Sequence, residues 1–295
     1  MFSFCADPKS IEGLQWLSCY LTSGKHLDFY MSFLTVLALL AITAPSALLF
    51  GFGGATAARS HFLPLRLFGK IYIAMVRGVP DIIFFLFFVI ALDQMIEYVK
   101  FLAVCPPGTP SPWQGLEFRV CPEAKVPLSA SSAGWHDAYG FLLAVITFAI
   151  VFGAFAANVL YGAMQAVPHA QLETAEAYGM SHGQVFRRVL IPQMWVYALP
   201  GLSNLWMILI KATPLLFLLG IQDIVYWARS LGGSAQANST AYPHGDWRLW
   251  YFLFLLVFYL TLTKVSEIGL GRLMARMTHG QATVGGEDQR REAAA

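Results

Sequence analysis

The sequence predicts an all-α protein that crosses a membrane several times. Hydrophobic residues make up 57% of the chain and charged residues only 12%, whereas an average soluble domain carries about 25% charged residues. No charge occurs from Phe29 to Ala58 or from Ala138 to Leu172. A helix that spans a bilayer needs about 20 mostly apolar residues, so both stretches are long enough. The net charge of +2 gives no support for a nucleic-acid partner.

Five spanning helices account for the apolar segments. A short helix over 66–78 is expected to lead into the second span. The segment 1–28 contains five charges and lacks the apolar core of a cleavable signal peptide, so we expect it to remain on the mature protein. The predicted spans are 29–56, 79–99, 138–166, 193–221 and 247–271.

The distribution of Lys and Arg predicts the orientation, because cytoplasmic loops carry an excess of these residues. The segments on one side, 57–78, 167–192 and 272–295, hold ten of them, against six in the segments on the other side. We therefore expect the N-terminal segment 1–28 to lie outside the cell. The tail 274–295 is then cytoplasmic, and its composition is typical of disorder.

All four cysteines fall on the predicted outer side, where disulfides persist. Cys105 and Cys121 share a loop rich in Pro and Gly. A bridge between them and a pair of free thiols both remain open from the sequence.

The loop 168–192 between the third and fourth spans has the signals of a helical hairpin. Pro168 is suited to the start of a first short helix, and Gly179 to the left-handed position that ends it. Ser181 and Gln184 form a capping-box pattern that opens a second helix. Pro192 is expected to separate that second helix from the fourth span, and the small Ala175 and Ala177 to let a partner approach closely. An ordinary capped connector would share these local features.

A longer pattern in this loop resembles the signature of ABC importer permeases: Glu-Ala-Ala, three residues, Gly, nine residues, and Ile-x-Leu-Pro. Glu173, Ala175, Gly179 and Pro192 match at the same spacing, with conservative changes at three other positions, Thr174, Val189 and Ile191.

Further runs resemble the polar amino-acid and opine branch of that family, which includes histidine, glutamine and arginine permeases. They are Arg77–Pro80, Gln165–Pro168, Ala198–Asn204 and Lys211–Leu215. The resemblance covers about 29–273. One departure lies in the third span, where Ala157-Asn158 and Tyr161-Gly162 stand in place of a pattern with two charged residues.

The resemblance implies a five-helix type I importer permease in the bacterial inner membrane, and the Lys and Arg distribution places its N-terminus outside and its C-terminus in the cytoplasm. It implies two ATPase subunits, a second permease subunit in a homo- or heterodimeric pore, and an extracytoplasmic solute-binding protein. Glu173, Ala175, Glu176, Gly179 and Pro192 would couple this chain to the ATPase. The chain has no phosphate-binding G-x-x-x-x-G-K-[ST] loop, so ATP would be used by the partner and this chain would bind no cofactor.

Lys211 is predicted to lie near mid-membrane, where an ionisable group normally has a partner or faces the bundle interior. We expect Lys211 either to contact a substrate carboxylate or a gate, or to pair structurally with Asp93 or with a group on the second subunit. Pro200 and Pro214 interrupt the same span. Other candidate residues for the solute pathway are Thr213, Asn158 and Asn204, although the two asparagines could instead bond between helices.

Two other classes of protein compete with an importer subunit. A self-contained ion-coupled carrier usually places acids in the membrane core, and here the mid-membrane charge is a lysine. An intramembrane enzyme would need a site such as H-E-x-x-H or G-x-S-x-G, and the sequence contains neither.

Overall fold

The computed structural model describes residues 5, 12–75, 80–127, 131–219, 221–235 and 242–278. Helices dominate it. A two-stranded antiparallel hairpin, β1 (Trp113–Gln114) and β2 (Glu117–Phe118), lies in the loop after the fourth helix. The α-helices are α1 Gly13–Leu21, α2 Gly24–Ala58, α3 Leu63–Met75, α4 Asp81–Val104, α5 Ala133–Ala166, α6 His169–Ala177, α7 His182–Val185, α8 Ile191–Ala212, α9 Ile224–Gly232 and α10 Arg248–Thr278.

Five helical segments among the described residues are long and apolar enough to cross a bilayer, as predicted. They are longer than the sequence indicated. α4 continues past Lys100 to Val104, and α10 runs to Thr278, which is five residues into the segment 274–295 that the sequence assigned to the tail. Charged residues are tolerated in these ends because long side chains near the end of a spanning helix can reach the membrane–water interface. The rest of the predicted tail, 279–295, lies outside the described residues, as do Arg77, Gly78 and Val79.

The chain alternates between two ends of the bundle. The hairpin side is the end that carries α3, α6 and α7. The loop side is the end that carries α1 and the described residues 105–127 and 242–247. α2, α5 and α10 run from the loop side to the hairpin side, and α4 and α8 run back.

α2 and α5 form the centre of the bundle and pack closely. At Gly51 an added Cβ would lie 2.6 Å from the Cβ of Ala156, so only glycine permits this approach. Phe148 and Leu160 on α5 and Leu39 on α2 are fully buried. Because these side chains are buried, the α2–α5 pair forms a core against which later helices such as α8 and α9 pack.

The loop side is held by two disulfides and an aromatic cluster. Cys5–Cys19 attaches the N-terminal segment to α1, and Cys105–Cys121 closes the loop that contains the β-hairpin. The phenol oxygen of Tyr20 on α1 lies 3.0 Å from that of Tyr251 on α10. α1 thus connects the start of the first span to the start of the last.

Candidate functional site

α6 ends in the left-handed turn that the position of Gly179 predicted. Gly179 has φ +85°, and the N–H of Gly179 donates to the Glu176 carbonyl at 2.8 Å. The N–H of Met180 donates to the Ala175 carbonyl at 3.1 Å. These two bonds are a Schellman motif, which satisfies carbonyls that the helix end would otherwise leave without donors.

α7 opens with the predicted capping box. The side chain of Ser181 accepts from the backbone of Gln184, and the Gln184 amide oxygen accepts from the N–H of Ser181 at 3.0 Å. Local bonds therefore fix the end of α6 and the start of α7.

The prediction that Pro192 separates α7 from the fourth span is wrong. A π-helical turn, Phe186–Leu190, joins α7 directly to α8, and Pro192 lies in the first turn of α8. Proline is tolerated there because a π turn widens the helix and removes the clash with the carbonyl four residues earlier. The hairpin is consequently continuous with the fourth span, and a displacement of α7 would move α8.

The exposed surface of the hairpin differs in part from the prediction. Ala175 is only 8% exposed and packs within the chain, so it does not offer a close approach to a partner. Ala177 and Gly179 are exposed, as are the side chains of Glu173 and Glu176. Tyr178, which we did not single out, is 83% exposed at the hairpin tip. A large aromatic residue directly before the αL glycine is the signal that could have identified it.

Two imidazoles face the acids of the hairpin. His182 Nδ1 lies 2.8 Å from Glu176 Oε1, and His169 Nδ1 lies 3.8 Å from Glu173 Oε1. The first pair connects α7 to α6 and adds to the rigidity of the hairpin.

A stripe of exposed residues follows one side of α8, and we call it the α8 stripe. Its members recur every three or four residues, so they share one face of the helix. Two of them, Asn204 and Lys211, make no hydrogen bond or ion pair with any described residue. The stripe consists of Tyr197, Pro200, Asn204, Ile208 and Lys211.

The other two candidate pathway residues lie off this stripe. Thr213 is fully buried, and its hydroxyl lies 2.9 Å from the phenol oxygen of Tyr259 on α10. Asn158 is half-buried on α5. The structure thus places Lys211 and Asn204 together on an open surface and Thr213 inside the bundle.

Asp93 does not pair with Lys211. Its carboxylate accepts a hydrogen bond from the Tyr139 hydroxyl at 2.6 Å. Asp93, which the sequence suggested as a structural partner of Lys211, is therefore hydrogen-bonded to Tyr139 instead.

Asp223 is a buried acid that sequence reasoning missed. It is 0% exposed and caps α9: its Oδ1 accepts from the N–H of Val225 at 3.1 Å and of Tyr226 at 2.9 Å. Its Oδ2 has no partner among the described residues. Burial raises the pKa of the Asp223 carboxyl to about 6, against the lowering effect of the backbone N–H groups. An Asp just before an apolar, helix-like run was the available signal.

The family model described as "binding-protein-dependent transport system inner membrane component" matches residues 47–279. The arginine ABC transporter permease ArtQ of Escherichia coli is 29% identical over 73% of this chain and 80% of that protein. The histidine/lysine/arginine/ornithine permease HisQ of Salmonella typhimurium is 31% identical over 75% of this chain and 80% of that protein. The nopaline permease NocQ of Agrobacterium fabrum is 30% identical over 75% of this chain and 79% of that protein.

A solved structure described as an amino acid ABC transporter with histidines shares the fold. Its TM-score is 0.60 at 20% identity, and the match covers 90% of this chain and 99% of that one. The five apolar helices of this chain suit a membrane component of that kind. The chain belongs to the binding-protein-dependent transport system inner membrane component family and is the permease subunit of an amino-acid ABC importer.

Proposed function

We propose that Lys211 recognises the carboxylate of the amino acid that this permease carries. The observation that supports this role is the position of Lys211 on the exposed α8 stripe, within a spanning segment and without an ion pair to a described residue. A charged side chain within a membrane span normally faces a bundle interior or a water-filled cavity. An ammonium group in such a place is a binding group for an anion, and every amino acid has a carboxylate.

The names of the relatives agree with a carboxylate as the shared feature. These relatives are named as permeases for arginine, for histidine, lysine, arginine and ornithine, for nopaline, and for octopine. The side chains of these solutes differ, whereas a carboxylate is common to them. Lys211 therefore supports recognition of the amino-acid class, and the side chain of the solute would be read by other groups.

The α8 stripe also favours a second permease subunit. Polar groups such as the amide of Asn204 are costly to expose to lipid. A second subunit that faces the stripe would enclose it and turn it into one wall of a solute pathway. We propose that this subunit is a related, non-identical chain.

The ATPase subunits would bind the exposed hairpin, with Tyr178 and Glu173 at the contact. The continuous helix from α7 into α8 supports a direct mechanical route, because a movement of the hairpin would be transmitted to Lys211 along one helix. ATP would be hydrolysed by that partner, and this chain would bind no cofactor. The soluble binding protein would dock on the loop side.

The loop side is proposed to face outward in the bacterial inner membrane. Both disulfides lie there, and disulfides persist in oxidising compartments. The hairpin side carries Arg59, Arg66 and Lys70, which agrees with a cytoplasmic location.

ATP-dependent uptake of labelled arginine and histidine into proteoliposomes tests the role of Lys211. The complex would be reconstituted with its ATPase and binding protein. We expect Lys211→Met to lower uptake by about tenfold to a hundredfold, which corresponds to one lost hydrogen bond to a charged group. Lys211→Arg should retain part of the uptake. Lys25→Met, which removes an exposed lysine at the loop side, is the matched control.

Assembly separates the two roles that the sequence left open. If Lys211→Met still assembles with the ATPase but does not transport, the carboxylate contact is supported. Unchanged uptake, or failed assembly of the variant, would contradict it.

A further inference from the structure

A cleft of about 690 Å³ opens on the hairpin side, next to the hairpin. One wall is the end of α2 and the start of α3, with Arg59, His61 and Leu65. The opposite wall belongs to the hairpin and carries Glu173 and Glu176. The volume is within the range of ligand-binding clefts, so it can hold a group much larger than water.

The two walls differ in charge. The acids of the hairpin wall already have imidazole partners at 3.8 and 2.8 Å. On the other wall, no carboxylate of a described residue lies within 4.0 Å of Arg59, Arg66 or Lys70. Arg59 donates a hydrogen bond to the carbonyl of Met164 at 3.4 Å. The α2–α3 wall is thus a cationic surface without counter-charge in the described part of the chain.

α3 continues this wall as an amphipathic helix. One face packs on the bundle through Gly69, Tyr72 and Ile73, and the hydroxyl of Tyr72 donates to the Ile150 carbonyl at 2.6 Å. The remaining surface exposes large apolar side chains beside Arg66 and Lys70. Phe62 is 67% exposed and Phe68 is 64% exposed, and Leu63, Leu67 and Ile71 each exceed half.

A helix with exposed apolar residues and adjacent cations is typical of one that lies in the membrane–water interface. The apolar side chains enter the acyl region, and the cations attract anionic headgroups. Here the helix is fixed to the bundle, and a cleft lined by the guanidinium of Arg59 and the imidazole of His61 lies at its N-terminal end. Charge and apolar surface together therefore point to one molecule that has both an anionic head and acyl chains.

We propose that the α2–α3 wall binds an anionic phospholipid, with its phosphate at Arg59 and His61 and its acyl chains along Leu65 and Phe68. The cations Arg66 and Lys70 strengthen the attraction along α3. Only the choice of leaflet, on the cytoplasmic side, rests on the proposed function.

Lipid retention by the purified permease–ATPase complex tests this site. The complex would be exchanged into nanodiscs of equal parts phosphatidylglycerol and phosphatidylcholine, then released and analysed by native mass spectrometry. We expect the wild type to retain phosphatidylglycerol selectively. The variant Arg59→Gln/Arg66→Gln/Lys70→Gln should retain at least about fivefold less phosphatidylglycerol than the wild type. Each cation near an anionic surface contributes roughly a factor of five in affinity.

A matched control removes three cations from the loop side: Lys25→Gln/Arg119→Gln/Lys125→Gln. It should retain phosphatidylglycerol like the wild type. Equal retention in the wild type and the α2–α3 variant, or an equal loss in both variants, would overturn the proposal. The proposal would also be overturned if the α2–α3 variant kept its lipid but co-purified with less ATPase, because that result would assign the cleft to the ATPase. Retention requires no transport, so a failure of Lys211 as a solute contact leaves this result unaffected.

Discussion

The N–H of Met180 donates to the carbonyl of Ala175, and the turn between them depends on the left-handed backbone of Gly179. This bond ends α6 and sets the direction in which α7 leaves it. The shape of the surface proposed to contact the ATPase therefore depends on one residue without a side chain.

Gly179→Ala should loosen the hairpin and leave the spans intact. No atom lies within 4 Å of a Cβ added there, so the cost is conformational: about 1 kcal/mol for a left-handed L-residue. Hydrogen exchange of the amides of α6 and α7 should accelerate about fivefold. Gly183→Ala is the matched control, because Gly183 is also in open space but has no positive φ. Similar acceleration in both variants would contradict this account of the turn.

Gly69→Ala should displace α3 from α2. An added Cβ would meet backbone atoms of Ala58 and lie 2.8 Å from the carbonyl carbon of Ala57. Because backbone cannot rotate away, we expect a loss of about 1–3 kcal/mol of stability, measured by thermal unfolding in detergent. Gly53→Ala, in open space on α2, is the control and should be neutral or stabilising. Equal melting temperatures for the two variants would show that α3 does not dock as described.

Asp223 predicts a specific dependence of stability on pH. Its folded-state pKa of about 6 lies above the ordinary value of 3.8, so the folded state binds the proton more tightly than the unfolded state does. The resulting stabilisation is present below about pH 4 and is lost as the pH rises through about 6. Its upper limit is about 3 kcal/mol.

Asp223→Asn should remove this pH dependence, because the amide oxygen can still cap α9 while the group no longer titrates. Thermal unfolding in detergent between pH 4 and pH 7 would compare the two proteins. We expect the wild type to lose more stability over that interval than the variant. Parallel pH profiles would contradict the assignment of the shift to Asp223.

The Cys105–Cys121 disulfide should appear on a gel. The bridge closes a loop with a sequence separation of 16, and such a bridge stabilises by up to about 3 kcal/mol. Cys105→Ser/Cys121→Ser should migrate differently from the wild type on a non-reducing gel and make the loop more sensitive to protease. Cys5→Ser/Cys19→Ser, which removes the other bridge, should leave the loop resistant. Identical mobility of the wild type with and without reductant would argue against both bridges.

The sequence predicts local features of the hairpin because they depend on neighbouring residues. Gly179 and the Ser181–Gln184 box are satisfied within a few positions, and their geometry follows from that spacing. The five spans are predicted for a similar reason, since length and apolarity alone specify a crossing.

Other features depend on contacts between distant segments, which spacing does not reveal. The burial of Ala175 follows from how the hairpin sits on the bundle. The role of Asp223 follows from α9, a short helix of nine residues, packing into the core beside α2 and α10. The tolerance of Pro192 follows from a π turn, for which the sequence carries no distinct signal.

Two substitutions at one position test the central claim, that the capped hairpin couples this chain to a separate ATPase. Asn tolerates the left-handed conformation of Gly179, whereas the β-branched Val does not. Co-purification of the ATPase in detergent would be compared for the wild type, Gly179→Asn and Gly179→Val. The account predicts that the wild type and Gly179→Asn retain the ATPase and that Gly179→Val loses it while its spans stay folded. Equal retention by the Asn and Val variants, or no ATPase bound by the wild type, would contradict it.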